Sequence, residues 1–458
     1  MYKIDFESPC HVHMIGIGGI SMSGLAEVLM NEGFTLSGSD RSRSELVQRL
    51  EAKGARISIG QAAANITDDI DCVVYTAAIH PDNPEYRAAE EKGLPMMSRA
   101  DLLGQIMQQY HHSIAVSGTH GKTTTTSMIT DILLAAGTDP TVSVGGMLDS
   151  IDGNIHIGRD DMFLTEACEY TNSFLEFWPT IEVILNVEAD HLDFFKDLED
   201  IRHSFGLFVK KLPDDGVLVI HDRIRDYQEI VGDFPGKVIT FGSEAADISA
   251  ADITYDEHAC PSFELLIRGR RAGRITLGVP GEHNVSNALA AIAVALELGI
   301  DEAVFEKGLA GFSGAQRRFE KKGMLGSISI YDDYAHHPQE IEATLRAAAH
   351  LPHERVVCVF QPHTYTRTKA LLPEFARALQ LADLTVLTDI YPARETDTLG
   401  VSSRQIADLI NAAGGRAVYR PDFDETETFL LSELRDGDVC ITMGAGDIVK
   451  VGERLLGR

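Results

Sequence analysis

The chain has 458 residues, of which 44% are hydrophobic and 24% charged; that suffices for about three domains with large buried cores and leaves no long part that reads as disordered. Its 40 Lys and Arg against 69 Asp and Glu leave a net charge of −29, a surface that repels nucleic acid and anionic lipid, so any anionic substrate must meet locally gathered Lys and Arg. The six cysteines stand singly with no C-x-x-C pair, which argues against a zinc knuckle or a redox dithiol.

The N-terminal "MYKIDFESPC" lacks the apolar core of a signal peptide. The most apolar helical stretch, "NALAAIAVALELGI" (287–300), is interrupted by Glu297 and too short to span a bilayer. The expected location is the cytoplasm.

In chain order, "HVHMIGI" reads as a strand, "MSGLAEVLMNEG" as a helix closed by Gly33, "FTLSGSD" as a second strand and "CVVYTAAI" (72–79) as a later one. This alternation predicts a parallel sheet covered by helices over residues 1–109. A second block, 110–314, opens with strand "SIAVS" (113–117) and a helix whose apolar residues Met128, Ile129, Ile132 and Leu133 share one face, with Gly137 as C-cap. Strands "MFLT", "EVILN", "VLVI" and "KVITF" follow, then an antiparallel pair in "FELLIRGRRAGRITLGV" (263–279) and a helix over 284–299. A third block, 315–458, carries strands "SISIYDD", "RVVCVFQ", "LTVLTDIY" and "DVCITMG", with helices such as "LLPEFARAL" between them. The fold class is therefore α/β.

Polar motifs sit where these strands end. "GIGGISMSG" (16–24) opens the first helix and approximates G-x-G-x-x-G, with Asp40 closing the second strand. By spacing it suits a diphosphate; a tight packing turn is the bland reading. "SGTHGKTTTT" (117–126) joins a strand to a helix, as a phosphate loop requires. The usual loop needs a glycine where Val116 stands, so this one is short. Gly118 and Gly121 still allow close approach to an anion, Lys122 can reach terminal phosphates, and the Thr123 hydroxyl can ligate Mg²⁺.

Glu166 and Glu169 in "EACEY" and Asp190 and His191 in "EADHLD" also follow strands, and they either converge on a metal near Thr123 or form a solvated acidic loop. In "GAQRRFE" (314–320), Arg317 or Arg318 can clamp a phosphate or a base where two domains meet; a surface salt bridge is the plain alternative. "YDDYAHHP" (331–338) and "QPHTYTRT" (361–368) gather carboxylates, histidines and an arginine at strand ends and read as a polar site. "DIYPARE" (389–395) and "GAGDI" (444–448) are further loops of open assignment.

Taken in order, "GIGGISMSG", "GTHGKTTTT", "EADHLD", "EHNVSNALAA", "RRFE", "DDYAHHP" and "FQPHTYTRT" resemble the Mur ligases along the whole chain, and the short Gly-Thr-His-Gly-Lys-Thr loop is a hallmark of that family. The resemblance implies an N-terminal Rossmann-like domain for a UDP-sugar and a central P-loop ATPase-type α/β domain with added antiparallel strands for ATP. A C-terminal Rossmann-like domain would take an amino acid. The implied reaction is ATP-dependent ligation of L-alanine to the carboxylate of UDP-N-acetylmuramate through an acyl phosphate, releasing ADP and phosphate, in peptidoglycan precursor synthesis. The implied cofactors are ATP and Mg²⁺, and the implied state is a monomer or homodimer.

By motif match, the resemblance assigns Gly118, Thr119, His120, Gly121, Lys122, Thr123 and Thr124 to the phosphates, with Asn284, Arg317 or Arg318, and Asp333 also on the nucleotide. Thr123, Glu166 and His191 match metal ligands. Gly18, Gly19 and Asp40 match the UDP site, and Tyr334, His336, His363 and Arg367 lie toward the substrate carboxylate and the amino acid. The residues expected to carry the chemistry are Lys122, Glu166, His191, His336 as a candidate base, and Arg367.

Three positions depart from the family pattern: Cys168 replaces a carboxylate, Thr364 an arginine and Gln61 a histidine. A murein tripeptide recycling ligase is the nearest alternative. An NAD-dependent oxidoreductase leaves the second phosphate loop without a purpose, and a non-catalytic ATP-binding regulator leaves the polar loops of the third block without one.

Overall fold

Three sheets follow one another along the chain in this computed structural model, which describes residues 2–76, 78–192, 194–393 and 395–458. Ala77, Asp193 and Arg394, which fall inside three of the quoted stretches, lie outside the described residues.

The first sheet contains β1 (His11–Ile15), β2 (Thr35–Asp40), β3 (Arg56–Ile59), β4 (Cys72–Tyr75) and β5 (Met96–Ser98), all parallel in the order β3-β2-β1-β4-β5. That is a Rossmann-like half, and its carboxyl edge carries the "GIGGISMSG" turn. The expected strand over 72–79 stops at Tyr75, where its neighbour β5 ends in register at Ser98.

The central sheet has ten strands: β6 (His112–Ser117), β7 (Thr141–Leu148), β8 (Gly153–His156), β9 (Met162–Ala167), β10 (Ile181–Ile184), β11 (Val217–His221), β12 (Lys237–Gly242), β13 (Ile248–Tyr255), β14 (Pro261–Ile267) and β15 (Arg270–Thr276). Their order is β15-β14-β13-β12-β11-β10-β6-β9-β7-β8. β13, β14 and β15 form the antiparallel extension; the β14–β15 hairpin was anticipated, whereas β13 was not. Its register shifts between Ala251 and Thr254, which breaks the alternation that marks a strand in sequence. β7 and β8 escaped for a similar reason, since Gly145 and Gly146 interrupt the apolar pattern of β7.

The third sheet contains β16 (Glu320–Leu325), β17 (Ile328–Asp333), β18 (Arg355–Phe360), β19 (Leu384–Leu387), β20 (Ala417–Tyr419) and β21 (Asp438–Met443), ordered β16-β17-β21-β18-β19-β20. All pairs are parallel except the edge pair β16–β17. The strand expected over 384–391 stops at Leu387, opposite the short β20.

The units are joined in two different ways. One apolar core runs without a break from Met14, Leu25 and Leu103 of the first unit to Phe163, Phe174 and Phe205 of the second. At that junction helix Arg99–Met107 presses so closely that a Cβ on Gly104 would lie 1.9 Å from the Glu176 carbonyl oxygen. The second and third units meet through polar pairs, among them Arg367 with Asp190 and His120 with Glu340, and through a smaller contact in which Ala259 joins the third unit's core and Tyr255 stacks on His350. An apolar junction holds two units as one body, whereas a polar one permits relative motion. Among the described residues no helix is long and apolar enough to cross a membrane, and all six cysteines are free thiols.

One buried group contradicts its surroundings. Glu182 of β10 is fully buried and points to the same side as its register partners Ala115 and Leu218. Neither carboxylate oxygen has a hydrogen-bond partner. Burial pushes its pKa well above the usual carboxylate range. Because the folded pKa is raised, the neutral acid is favoured in the native state, and stability falls as pH climbs from the unfolded value near 4.5 upward. Glu182→Leu is therefore expected to stabilise the protein at pH 8 by about 1–3 kcal/mol. Urea unfolding should also show a smaller loss of stability between pH 5 and pH 8 in the variant; an unchanged midpoint at pH 8 would contradict the assignment.

Candidate active site

Strand β6 ends at Ser117, and the chain turns through Gly118 (φ 134°) and Gly121 (φ 85°) into helix Lys122–Ala135. Side chains are excluded at both glycines. A Cβ on Gly121 would meet Asn287 Oδ1 at 2.6 Å, and the left-handed φ disfavours any L residue. The helix begins with no side-chain cap and no acidic residue in its first turn. Its free N–H groups and positive dipole end thus face outward, as an anion site requires. Asn186, just after β10, braces the loop by accepting from the His120 N–H at 2.8 Å and donating to the His120 carbonyl at 3.0 Å. The Thr119 hydroxyl oxygen adds a bond by accepting from the Glu188 N–H at 3.0 Å.

Lys122 folds back over this loop. Its ammonium donates to the carbonyls of Gly118 and Thr119 and lies 3.1 Å from Glu169 Oε2. Burial alone would lower its pKa, but the Glu169 charge overcomes that and holds it above the ordinary lysine value. Glu169, considered above as a metal ligand, is in this structure the counter-ion of Lys122. Cys168 lies beside the pair, its thiol pushed up by burial and so kept neutral. One residue into the helix, Thr123 Oγ1 donates to Glu166 Oε2 at 3.1 Å, while Glu166 Oε1 accepts from the Gly145 N–H at 2.6 Å. This oxygen-donor pair beside the uncapped helix end fits a hard divalent cation such as Mg²⁺.

The loop opens into a cavity of about 280 Å³ walled by both the second and third units. His120, Gly121 and Thr124 line it from the loop, Asn284 and Asn287 from helix His283–Glu297, and Arg318, Asp333 and Glu340 from the third unit. Asn287 donates to Asn284 Oδ1 at 3.0 Å, and Asn284 donates to the Pro280 carbonyl at 2.7 Å. Asp333 is nearly buried and accepts from the Phe319 and Ala335 N–H groups; burial moves its pKa up to about 7. The two arginines part company here. Arg317 (φ 60°) turns into the third unit, where its guanidinium binds Asp332 at 2.9 Å and the carbonyls of Gly444 and Gly446. Arg318 faces the cavity, with Nη2 3.4 Å from Thr123 Oγ1 and its guanidinium over the Tyr334 ring.

A second cavity, of about 230 Å³, lies between Asp190, His191 and Leu192 on one side and His363, Thr364, Arg367 and Glu395 on the other. Asp190 is the anchor. Arg367 donates to its Oδ1 from Nε and Nη2 at 3.3 and 3.2 Å, while Nη1 contacts His363 Nδ1 at 3.2 Å. Burial would raise the Asp190 pKa, but Arg367 and then His191 drive it below the usual carboxylate range. His191, also at positive φ (51°), has its ring tilted 33° to that of Tyr170 at 4.5 Å, and burial lowers its pKa. His336 sits nearby, its ring 5.9 Å from that of His363. Its Nδ1 contacts the Tyr334 carbonyl at 3.1 Å, and burial lowers its pKa.

At the other end of the chain, Asp40 accepts from the Gly18 N–H at 3.0 Å, and the Gly19 N–H bonds the Gly16 carbonyl. A Cβ on Gly18 would strike Val47 at 2.7 Å. The turn is thus sterically obligatory, and Asp40 braces it. Sequence reasoning did not single out Asn186, Asn287, Glu188 or Glu340. Glu188 begins the quoted "EADHLD" stretch, and Glu340 lies in the first turn of helix Pro338–Ala348, but nothing in either segment tells a carboxylate that faces His120 from a solvated one.

Comparison with known proteins gives three family matches in succession: the Mur ligase family catalytic domain over residues 11–111, the Mur ligase middle domain over 116–295 and the Mur ligase glutamate ligase domain over 317–446. A UDP-N-acetylmuramate–L-alanine ligase of Lachnospira eligens is 58% identical over the full length of both chains, and one of Lachnoclostridium phytofermentans is 53% identical over the full length of both. Among solved structures, the UDP-N-acetylmuramate-alanine ligase of Thermotoga maritima superposes with a TM-score of 0.82 at 31% identity, covering 98% of each chain. A murein peptide ligase of Psychrobacter arcticus reaches 0.71 at 25% identity, with the same coverage.

Proposed function

Since this chain belongs to the Mur ligase family, we infer that it joins L-alanine to the carboxylate of UDP-N-acetylmuramate, with ATP giving ADP and phosphate through an acyl phosphate. The observation that carries this reading is the uncapped start of helix Lys122–Ala135, with Lys122 and Thr123, opening into a cavity walled by two units. A carboxylate does not condense with an amine in water unaided. Such a loop, next to a second cavity lined with Asp190, His363 and Arg367, suits activation by phosphoryl transfer followed by capture with an amine.

We assign the UDP-sugar to the unit spanning 1–109, ATP to 110–314 and the amino acid to 315–458. Lys122 is held ready by Glu169 and exchanges its loop carbonyls for phosphate oxygens. Thr123 and Glu166 would hold Mg²⁺, with neutral His191 as a further ligand; such an ion offsets the negative charge that gathers on a phosphoryl group during transfer. Arg318 adds its charge to the same side of the cavity. Asn284 and Asn287 offer amide edges to a base. Gly18 and Gly19, braced by Asp40, would present backbone to the diphosphate of the sugar nucleotide.

Arg367 and His363 face the second cavity from the third unit and are assigned to anionic groups of the substrate and amino acid; Tyr334, assigned with them, does not line that cavity and lies under the Arg317 and Arg318 guanidinium groups. The incoming amine must shed a proton before attack. His336 suits that task because its Nδ1 is engaged with the Tyr334 carbonyl, and burial keeps the ring neutral and able to accept. The polar junction between the second and third units lets them close over the reactants and expel water.

The test is phosphate release with ATP, Mg²⁺ and UDP-N-acetylmuramate across the twenty amino acids. Release is expected to be fastest with L-alanine. Release that requires a preformed murein tripeptide would move the chain to the recycling reaction instead.

A further inference from the structure

Four buried nitrogen and oxygen atoms with no hydrogen-bond partner converge at the junction of the second and third units: His120 Nε2, Glu188 Oε2, and both ring nitrogens of His337. His337 is only 5% exposed, and its ring lies 4.7 Å from that of His120. His120 Nε2 is 3.6 Å from Glu188 Oε2, and one ligand atom from each of the three residues lies within 4.8 Å of the others. Buried polar atoms are nearly always satisfied; here His120 Nε2 and Glu188 Oε2 have only each other at ion-pair distance and neither ring nitrogen of His337 has a hydrogen-bond partner, so the cluster calls for an occupant. A fourth residue prepares the site. Glu340 Oε1 lies 3.3 Å from His120 Nδ1 and accepts its N–H; burial alone would lower the His120 pKa, but Glu188 and Glu340 together raise it to about 9, so a metal that binds Nε2 displaces a proton from it. A carboxylate behind a histidine is the usual second support of a metal ligand.

We propose that His120, Glu188 and His337 bind a divalent cation of the zinc class at the junction between the phosphate loop and the third unit. Two imidazoles and one carboxylate suit Zn²⁺ or Co²⁺, whereas Mg²⁺ prefers an all-oxygen shell. The site shares no residue with Thr123 or Glu166. Tetrahedral ligands about 2.1 Å from an ion stand roughly 3.4 Å apart, so modest ring rotations close the remaining gap. His120 belongs to the phosphate loop, Glu188 follows β10, and His337 precedes helix Pro338–Ala348. An ion held by all three ties the second unit to the third, and so restrains both the loop and the closing motion.

The experiment uses the full chain stripped with EDTA, without nucleotide or substrate, so that its outcome is independent of the ligation assay. Co²⁺ is titrated and followed by its visible absorption. Wild type is expected to bind one equivalent with the strong bands of a four- or five-coordinate ion, lost on adding Zn²⁺ but not on adding excess Mg²⁺. His337→Gln and Glu188→Gln should each weaken Co²⁺ binding by at least about tenfold. Zn²⁺ should raise the melting temperature of wild type and not of either variant, and melting without metal identifies whichever variant is folded. No Co²⁺ spectrum in wild type overturns the proposal, as does a spectrum and affinity that survive unchanged in a folded variant.

Discussion

Lys122→Ala is expected to lose ATP- and L-alanine-dependent phosphate release by a factor on the order of 10³ while the protein remains folded. The ammonium is the cation seated on the phosphate loop itself, 3.1 Å from Glu169 Oε2 and bonded to the carbonyls of Gly118 and Thr119. Without it the loop keeps its backbone N–H groups, so nucleotide binding should weaken less than turnover. The substitution also strands Glu169, only 2% exposed, without its partner. Breaking one side of a buried pair costs about 3–5 kcal/mol. The double variant Lys122→Ala, Glu169→Gln should therefore regain much of the lost stability and none of the turnover. This separates the two roles. Phosphate release near the wild-type rate in the single variant would remove Lys122 from the chemistry, and recovery of turnover in the double variant would make its part purely structural.

Arg317→Ala and Arg318→Ala should fail in different ways although the residues are adjacent. Arg317 is the charged partner of the fully buried Asp332 and also donates to the carbonyls of Gly444 and Gly446. Its loss leaves a buried carboxylate with the Thr442 hydroxyl as donor and the more distant Lys322 charge, at an expected cost of about 3–5 kcal/mol in unfolding free energy. Among the described residues Arg318 forms no direct ion pair, although its charge favours the ionised forms of Asp333 and Glu340. It spans the cavity toward Thr123 and lies over Tyr334, so its loss should lower the urea midpoint less than that of Arg317. Nucleotide affinity should instead fall by roughly 10- to 100-fold, the range for one charge-assisted contact. Urea unfolding and titration with a fluorescent ATP analogue, run on both variants, decide the matter. A stable Arg317→Ala protein with poor nucleotide binding would reverse the two assignments.

Much of the site was legible because its signals are local. A glycine that must take a positive φ, a lysine and threonine opening a helix, and an apolar strand just before them lie within ten residues, so "SGTHGKTTTT" carries its own geometry. The same holds for "GIGGISMSG" and for strands such as β6, β11 and β18, whose apolar runs are continuous because both faces are covered. Strands with interrupted patterns were not legible. β7 contains two glycines, β13 carries a register shift, and edge strand β16 is half polar with its own irregularity at Gly323. Each is held by its neighbour in the sheet rather than by its own composition.

What the sequence alone determined is the order of three α/β units and the place of the glycine turn that opens helix Lys122–Ala135 in the second, since both follow from short-range backbone preference and apolar periodicity. Tertiary structure alone decided which of two neighbouring arginines enters the cavity, because a positive φ at Arg317 swings its side chain toward Asp332. It also decided that Lys122 waits on Glu169, 47 residues away, and that Arg367 reaches across 177 residues to Asp190. Charged side chains of one type look alike in a sequence; what distinguishes them is the partner and the burial that packing between distant segments supplies.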